Sequence, residues 1–328
     1  MAVLVCGGAG YVGSHIVYEL VEQNENIIVV DNLSTGHIQA VNKKALFYHG
    51  DVRDKNFLHK VFSQHEIHSV YHFAASSLVG ESMQKPLAYF NNNVYGLQVL
   101  LETMVANNVK KIIFSSTCAV YGTPNVLPID ESTLCNPQSS YGESKLIMEK
   151  MMKWVDSAHG IKYVSLRYFN AAGALSSGLI GEDHAFETHL IPLVLQVALG
   201  KKECISIFGD DYNTPDGTCI RDYIHVTDLA HAHIKAMNYL NNTIESNIFN
   251  LGTGQGYSVK EIIDAAEKIT QKSIKFEIVQ KRLGDASILI ASNENAKKFL
   301  DWQPKYDIHS IIETAWRWHK KNTNGFVV

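Results

Sequence analysis

The sequence predicts an α/β protein: a doubly wound parallel sheet of Rossmann type with a smaller α/β lobe for a second ligand. Three observations carry this. Short apolar runs alternate with helical patterns over the first 170 residues. A glycine loop, Gly7-Gly8-Ala9-Gly10-Tyr11-Val12-Gly13, joins the first strand to the first helix. The second strand ends on an acid, Asp31. Strands alternating with helices give βαβ units, whose parallel sheet is covered on both faces.

In chain order, residues 3–6 form a buried strand signal that glycines terminate. Residues 11–22 carry apolar side chains at helical spacing. Further strands are expected at 27–30, 46–49, 70–73, 111–114 and 163–167. A long helix is expected over 86–107, with Pro86 in its first turn. Residues 115–140, with three prolines, are expected as a loop, and 141–158 as a helix. From 171 to 187 the chain is rich in Gly, Ala and Ser and is expected to cross irregularly between lobes. Beyond it, helices are expected at 188–199, 226–239, 259–270, 293–300 and 308–319, and strands at 205–208, 247–251 and 274–279. The pattern divides the chain into residues 1–172 and 173–328, with the stretch near 221–250 returning to the first lobe.

Composition narrows the function. Lys plus Arg number 29 against 33 Asp plus Glu, and this small acidic balance is unlike a nucleic-acid-binding protein. No run of about 18 apolar residues is present, so no membrane span is expected. The N-terminus has no basic region before its apolar run and does not resemble a signal peptide. Five scattered cysteines, odd in number and without CxxC spacing, point to reduced thiols in the cytoplasm. His65-Glu66-Ile67-His68 is one residue short of HExxH, and His231 and His233 fall on different helix faces, so no metal is expected.

The loop has GxxGxxG spacing. Gly7, Gly10 and Gly13 permit a tight turn, close approach to a pyrophosphate and helix–strand packing. The phosphates meet the free N–H groups and positive end of the helix. Asp31 lies 18 residues after Gly13, where a carboxylate accepts from an adenosine ribose and repels a 2′-phosphate. No Lys or Arg occurs within 32–39, which favours NAD over NADP.

Tyr141 and Lys145 are four apart at the start of a helix and share one face. An ammonium beside a phenol lowers the phenol pKa, and such a tyrosine can take a proton from a sugar hydroxyl. They follow Phe114-Ser115-Ser116-Thr117, a hydroxyl cluster at the sheet's carboxyl edge, where doubly wound folds bind ligands.

On these motifs the chain resembles the extended short-chain dehydrogenase/reductase family and, within it, the UDP-glucose 4-epimerases of galactose metabolism. Further matching stretches are Gly50-Asp51-Val52-Arg53, His72-Phe73-Ala74-Ala75, Asn92-Asn93-Val94, Leu166 to Asn170, Thr188 to Pro192, Ile207 to Val226 and Arg282-Leu283-Gly284-Asp285. The resemblance implies a tightly held NAD. Tyr11 and Val12 would face its pyrophosphate. Asp31, Asn32, Leu33, Ser34, Thr35 and Gly36 would hold the adenosine, and Asp51 and Val52 the adenine. Phe73, Ala74, Ala75, Ser76, Ser77, Asn92 and Phe169 would line the rest. Thr117 and Tyr141 would contact the hexose, and Lys145 the nicotinamide ribose. Asn170, His189, Leu190, Ser206, Phe208, Arg221, Tyr223, Arg282 and Asp285 would hold UDP, and Leu289 would lie beside the C2 substituent of the sugar. Three positions depart from the common pattern: Thr117 replaces Ser, Ser77 replaces Lys and His189 replaces Asn. A homodimer through the helices near 86–107 and 141–158 is implied too.

Other functions share this fold. A 4,6-dehydratase would need an acid pair where Cys118 and Ala119 stand. Epimerases of UDP-N-acetylglucosamine or UDP-uronates remain alternatives. A non-catalytic NAD-sensing protein would have no use for Tyr141, Lys145 and Thr117 together.

Overall fold

The computed structural model describes residues 1–282 and 284–326; Leu283, in one of the matching stretches, lies outside them. The chain opens with β1 (Ala2–Cys6), α1 (Tyr11–Glu22), β2 (Ile27–Asp31), β3 (Leu46–His49), α2 (Lys55–Gln64) and β4 (Ile67–His72). It continues through α3 (Val79–Gln84), α4 (Pro86–Tyr89), α5 (Gly96–Ala106), β5 (Lys111–Thr117), α6 (Ser140–His159), β6 (Lys162–Tyr168) and β7 (Asn170–Ala172). The second half holds α7 (Leu190–Ala198), β8 (Ile205–Phe208), β9 (Ile220–Arg221), β10 (Tyr223–His225), α8 (Val226–Thr243) and β11 (Asn247–Leu251). It closes with β12 (Tyr257–Ser258), α9 (Val259–Thr270), β13 (Phe276–Val279), β14 (Ile288–Leu289), α10 (Glu294–Leu300) and α11 (Ile308–Lys321).

Seven parallel strands form the central sheet in the order β11-β6-β5-β4-β1-β2-β3. Its Rossmann topology reverses direction at β1, next to β4. In β1, Val3 and Val5 face a core shared with α1 and α8, while Leu4 and Cys6 face one shared with α2, α5 and α6. Alternate side chains point to opposite faces, so a strand covered on both must be apolar throughout. A third core, built by α7, α9 and α11 with Ile205, Ile207 and Tyr223, holds the smaller lobe together. The stretch 226–251 leaves that lobe: α8 packs on α1, and β11 adds to β6 as the edge strand.

Several boundaries differ from expectation. The strand β5 runs on through the hydroxyls to Thr117, and a 3-10 turn follows at Cys118–Val120, which shortens the expected loop. The helix over 86–107 is interrupted by a π-helical stretch, Phe90–Tyr95. The helices α2 and α3 were unexpected; α2 is polar on one side and is started by Asp54, whose side chain accepts from the Phe57 N–H. Among the described residues no helix is long and apolar enough to cross a membrane.

Candidate active site

The nucleotide loop is built where β1 meets α1. Gly7 has φ +81°, and a Cβ there would fall 2.5 Å from the Ala74 nitrogen. At Gly13 a Cβ would fall 2.1 Å from the Gly7 carbonyl oxygen, and at Gly36 it would fall 2.8 Å from the Ala9 carbonyl carbon. These are backbone contacts that cannot yield to any side chain. Gly10 caps α1 with no side-chain hydrogen bond, and the first turn carries no acid. The helix therefore presents unpaired N–H groups and its positive end to the loop, a cradle that fits a pyrophosphate.

Asp31 is buried, and its two oxygens accept from the Ala9 and Leu33 N–H groups at 3.0 and 2.8 Å. Burial pushes its carboxyl up, and these two hydrogen bonds oppose it. Leu33 is held at φ +57°. Asn32 donates to Asp51 at 3.0 Å, and the Arg53 guanidinium, 2.6 Å from Asp51, holds that carboxyl well below its usual range. Ser34, Thr35 and Ser77 are exposed, whereas Val52 is buried.

Phe73 to Ser76 run past the glycine loop. Ser76 is fixed by Asn93, fully buried, which accepts its N–H at 2.8 Å and donates to its carbonyl at 3.1 Å. Asn93 also donates to Ser144 on α6 at 3.0 Å, and Asn92 donates to Asn93. Asn92 is expected to line the cofactor site; the buried amide that ties loop to helix is its neighbour Asn93, which carries no expectation of its own. The π-helical stretch turns Asn93 inward, and no periodicity rule anticipates it.

At the end of β5 the hydroxyls separate by the alternation of the strand. Thr117 lies close enough to Tyr141 to favour its charged form, and it accepts the Ala119 N–H at 3.1 Å. Ser115 meets the Tyr168 hydroxyl. Ser116 donates to Glu149 at 2.6 Å. Glu149 forms a buried fork with Arg167, at 3.0 and 2.6 Å, and Arg167 reaches the Tyr121 hydroxyl at 2.9 Å. Tyr121 in turn donates to Asn250 on β11. This network lies directly behind the site and gave no signal in the spacing of its members.

Lys145, almost fully buried, donates to the Ser115 carbonyl at 2.8 Å and stands over the Phe114 ring. Burial pulls its pKa down to about 7, against the pull of Glu149. The sequence argument expected this ammonium to lower the Tyr141 phenol. In the structure burial dominates: it pushes Tyr141 up, and the neighbouring Thr117 works against it. The lysine is turned to the Ser115 carbonyl and burial governs the phenol, so the expected depression is absent from the free chain.

The second lobe gathers most of the remaining candidates in pairs. Asn170 on β7 lies opposite Tyr223 on β10. Arg221 reaches Asp285 at 3.3 Å, and the Arg282 guanidinium sits 3.7 Å from the centre of the Phe208 ring. Leu289 pairs in register with Arg221 and packs on the cluster that contains Phe169. Asp222 anchors this group. Fully buried, it accepts from Thr253 (N–H and hydroxyl), Gly254 and Ala291. Ser206 instead donates to Glu277 at the surface. His189 caps the start of α7, just before Leu190, and turns its Nδ1 toward Glu182 and Glu187. Glu182, His184, Glu187 and His189 thus come together, although sequence reasoning expected no metal-ligand cluster.

Residues 4–315 match a family model described as GDP-mannose 4,6 dehydratase. A UDP-glucose 4-epimerase from Halalkalibacterium halodurans is 54% identical over 327 residues, covering 99% of this chain and 98% of that one. A crystal structure of a UDP-glucose 4-epimerase, 55% identical, superposes with a TM-score of 0.98 over all of both chains. The UDP-glucose 4-epimerase from Bifidobacterium longum, solved with NAD+ and UDP, is 42% identical with a TM-score of 0.95, covering 99% of this chain and 100% of that one. The acid pair of a dehydratase is replaced here by Cys118 and Ala119, next to Thr117. With the glycine cradle, the Tyr141–Thr117 contact and full-length likeness in sequence and fold, this chain belongs to the UDP-glucose 4-epimerase family of the extended short-chain dehydrogenase/reductases.

Proposed function

We propose that the chain is an NAD-dependent isomerase that interconverts UDP-glucose and UDP-galactose by inversion at C4. The gathering of Thr117, Tyr141 and the buried Lys145 at the end of β5, on the same sheet as the glycine cradle, is the observation that carries this reading. Gly7 to Gly13 would hold the NAD pyrophosphate, Asp31 to Gly36 its adenosine, and Lys145 its nicotinamide ribose. NAD, when bound, supplies a reversible hydride acceptor at C4, so that inversion passes through a 4-keto sugar.

The chain's own work is proton transfer and binding. Tyr141 takes the 4-hydroxyl proton and later returns it, with Thr117 as relay. For this the phenol must fall from its buried, raised state. A cation brought alongside it, or release of Lys145 from the Ser115 carbonyl, moves it in that direction. Arg221 and Arg282 suit a diphosphate through charge-assisted hydrogen bonds, with Asn170, Leu190 and Tyr223 alongside. Tight binding of UDP leaves the hexose free to turn over and present its other face, so remote binding energy supports the reaction.

In this reading residues 1–172, with the returning segment, carry the cofactor, and the remainder carries UDP. The five free cysteines suit a cytoplasmic enzyme. Exposed Met83, Leu87, Tyr95 and Trp154 on the α3–α6 side support a homodimer through these helices. Protein purified without added nucleotide should convert UDP-galactose to UDP-glucose. A strict need for stoichiometric NAD+, with NADH released, would replace this reading by a dehydrogenase.

A further inference from the structure

We propose that Glu182, His184, Glu187 and His189 form a structural site for a divalent zinc-class cation at the start of α7. Their ligand atoms all lie within 4.8 Å of one another. His189 Nδ1 is 2.8 Å from Glu182 Oε1 and 3.0 Å from Glu187 Oε1. His184 Nδ1 is 3.1 Å from Glu187 Oε2 and 3.5 Å from Glu182 Oε1. Zinc bonds of about 2.0–2.1 Å in a tetrahedron place neighbouring ligands roughly 3.3–3.5 Å apart. The four distances bracket that edge.

Two features separate a cation site from a pair of simple ion pairs. The Glu182 and Glu187 side chains are only 4% and 7% exposed. Two buried carboxylates require two positive charges, which one divalent ion supplies with both imidazoles neutral. Each histidine also aims one and the same nitrogen at both carboxylates. A single N–H can serve one acceptor well; a single lone pair aimed at the centre of the cluster serves an ion fully.

The donors are held by their surroundings, as ligands of a metal are. Glu187 Oε1 accepts the N–H groups of Thr188 and His189, both at 2.8 Å. The Glu182 carbonyl accepts the Trp318 indole N–H on α11, and Gly181 lies so close to that ring that a Cβ would fall 2.3 Å from it. A cavity of about 280 Å³, lined by Glu182, His184, Glu187, His319 and Asn322, opens beside the cluster and gives an ion a way in. All four positions come from protein, which is the pattern of a structural rather than a catalytic ion.

The site has a mechanical consequence. His37 joins the Asp183 carbonyl through its Nε2 at 3.1 Å and the Ala9 carbonyl through its main-chain N–H at 2.9 Å. An ion at 182–189 would therefore brace the start of α7, on the smaller lobe, against the segment that touches the nucleotide loop.

The test uses the full chain. Purified protein is equilibrated with zinc, dialysed against metal-free buffer and analysed for metal; a parallel sample is titrated with cobalt. About one ion per chain is expected, with the strong visible absorption of four-coordinate cobalt and a thermal midpoint that zinc raises and a chelator lowers. Glu182→Gln and His184→Gln should each weaken cobalt binding by more than about tenfold. Zinc below roughly 0.1 per chain, or equal cobalt affinity in wild type and both folded variants, would overturn the site. Should neither variant fold, the wild-type cobalt spectrum decides alone.

Discussion

The ammonium of Lys145 donates to the carbonyl of Ser115 at 2.8 Å, two residues before Thr117, so helix α6 is fastened to the end of strand β5 by a group of the candidate site itself. The lysine thus fixes the helix that carries Tyr141, and in the proposed mechanism it is also the cation available to the phenol. If Lys145 leaves the Ser115 carbonyl in the working enzyme, as proposed, Lys145→Met should lower kcat and shift the Tyr141 limb of the pH–rate profile to higher pH, because the phenol loses its cation. An unmoved profile with a lowered kcat would leave only the fastening role.

Tyr141→Phe removes the proposed proton-transfer group. A loss of about 10²–10⁴ in kcat is expected, with UDP affinity retained. Thr117→Val should cost less if the hydroxyl only relays. Single-turnover assays on both variants check the order; a larger loss at Thr117 would make it the base.

The buried fork between Glu149 and Arg167 calls for a stability measurement. Glu149→Leu leaves the guanidinium buried without its carboxylate, and a loss of roughly 3–5 kcal/mol is expected. The double variant with Arg167→Leu should recover part of this. Urea unfolding of the three proteins decides; strict additivity would mean that the pair is not coupled.

Acid should destabilise the protein steeply. His15, His72, His225 and His233 are buried, and burial pulls them down to about 4, 3, 3 and 4. Unfolded imidazoles titrate near ~6.5, so between there and about 4 the unfolded chain binds more protons. Stability present above that window is lost as pH falls through it, by up to ~5 kcal/mol per unit if all four stay neutral. His72, with no partner for either ring nitrogen, is the cleanest probe. His72→Phe should flatten urea midpoints measured from pH 6.5 down to 4.5. An unchanged slope would mean that His72 is charged in the fold.

Leu289, in register with Arg221 and against the Phe169 cluster, is the proposed gate for the C2 substituent. UDP-N-acetylglucosamine should turn over with lower kcat/KM than UDP-glucose. Apolar pockets discriminate by only about 1–3 kcal/mol per methylene-sized change, so the preference is graded. Leu289→Tyr should abolish the acetylated activity selectively; equal loss of both activities would remove the gate.

What the sequence made legible was local and repetitive. The glycine spacing of 7–13 and the apolar runs of 3–6 and 27–30 each follow from a backbone constraint or a two-sided burial, so they can be seen without coordinates. Asn93, Asp222 and the chain from Ser116 to Asn250 could not be seen, because each depends on contacts between distant segments. Tyr141 shows the same limit in chemistry. Its spacing to Lys145 is a property of one helix turn, but its proton affinity is set by burial, which the whole fold decides.

The seventh strand has a consequence for synthesis of the chain. Until residue 251 has emerged, β6 is an open edge, with backbone donors and acceptors bare on the side where Asn247–Leu251 will later pair. Such edges recruit stray strands. A nascent chain or a fragment ending near residue 172 therefore carries a bare β6 margin, which in the complete protein is paired with β11. Release from the ribosome before β11 docks would expose it to aggregation, which chaperones must hold in check.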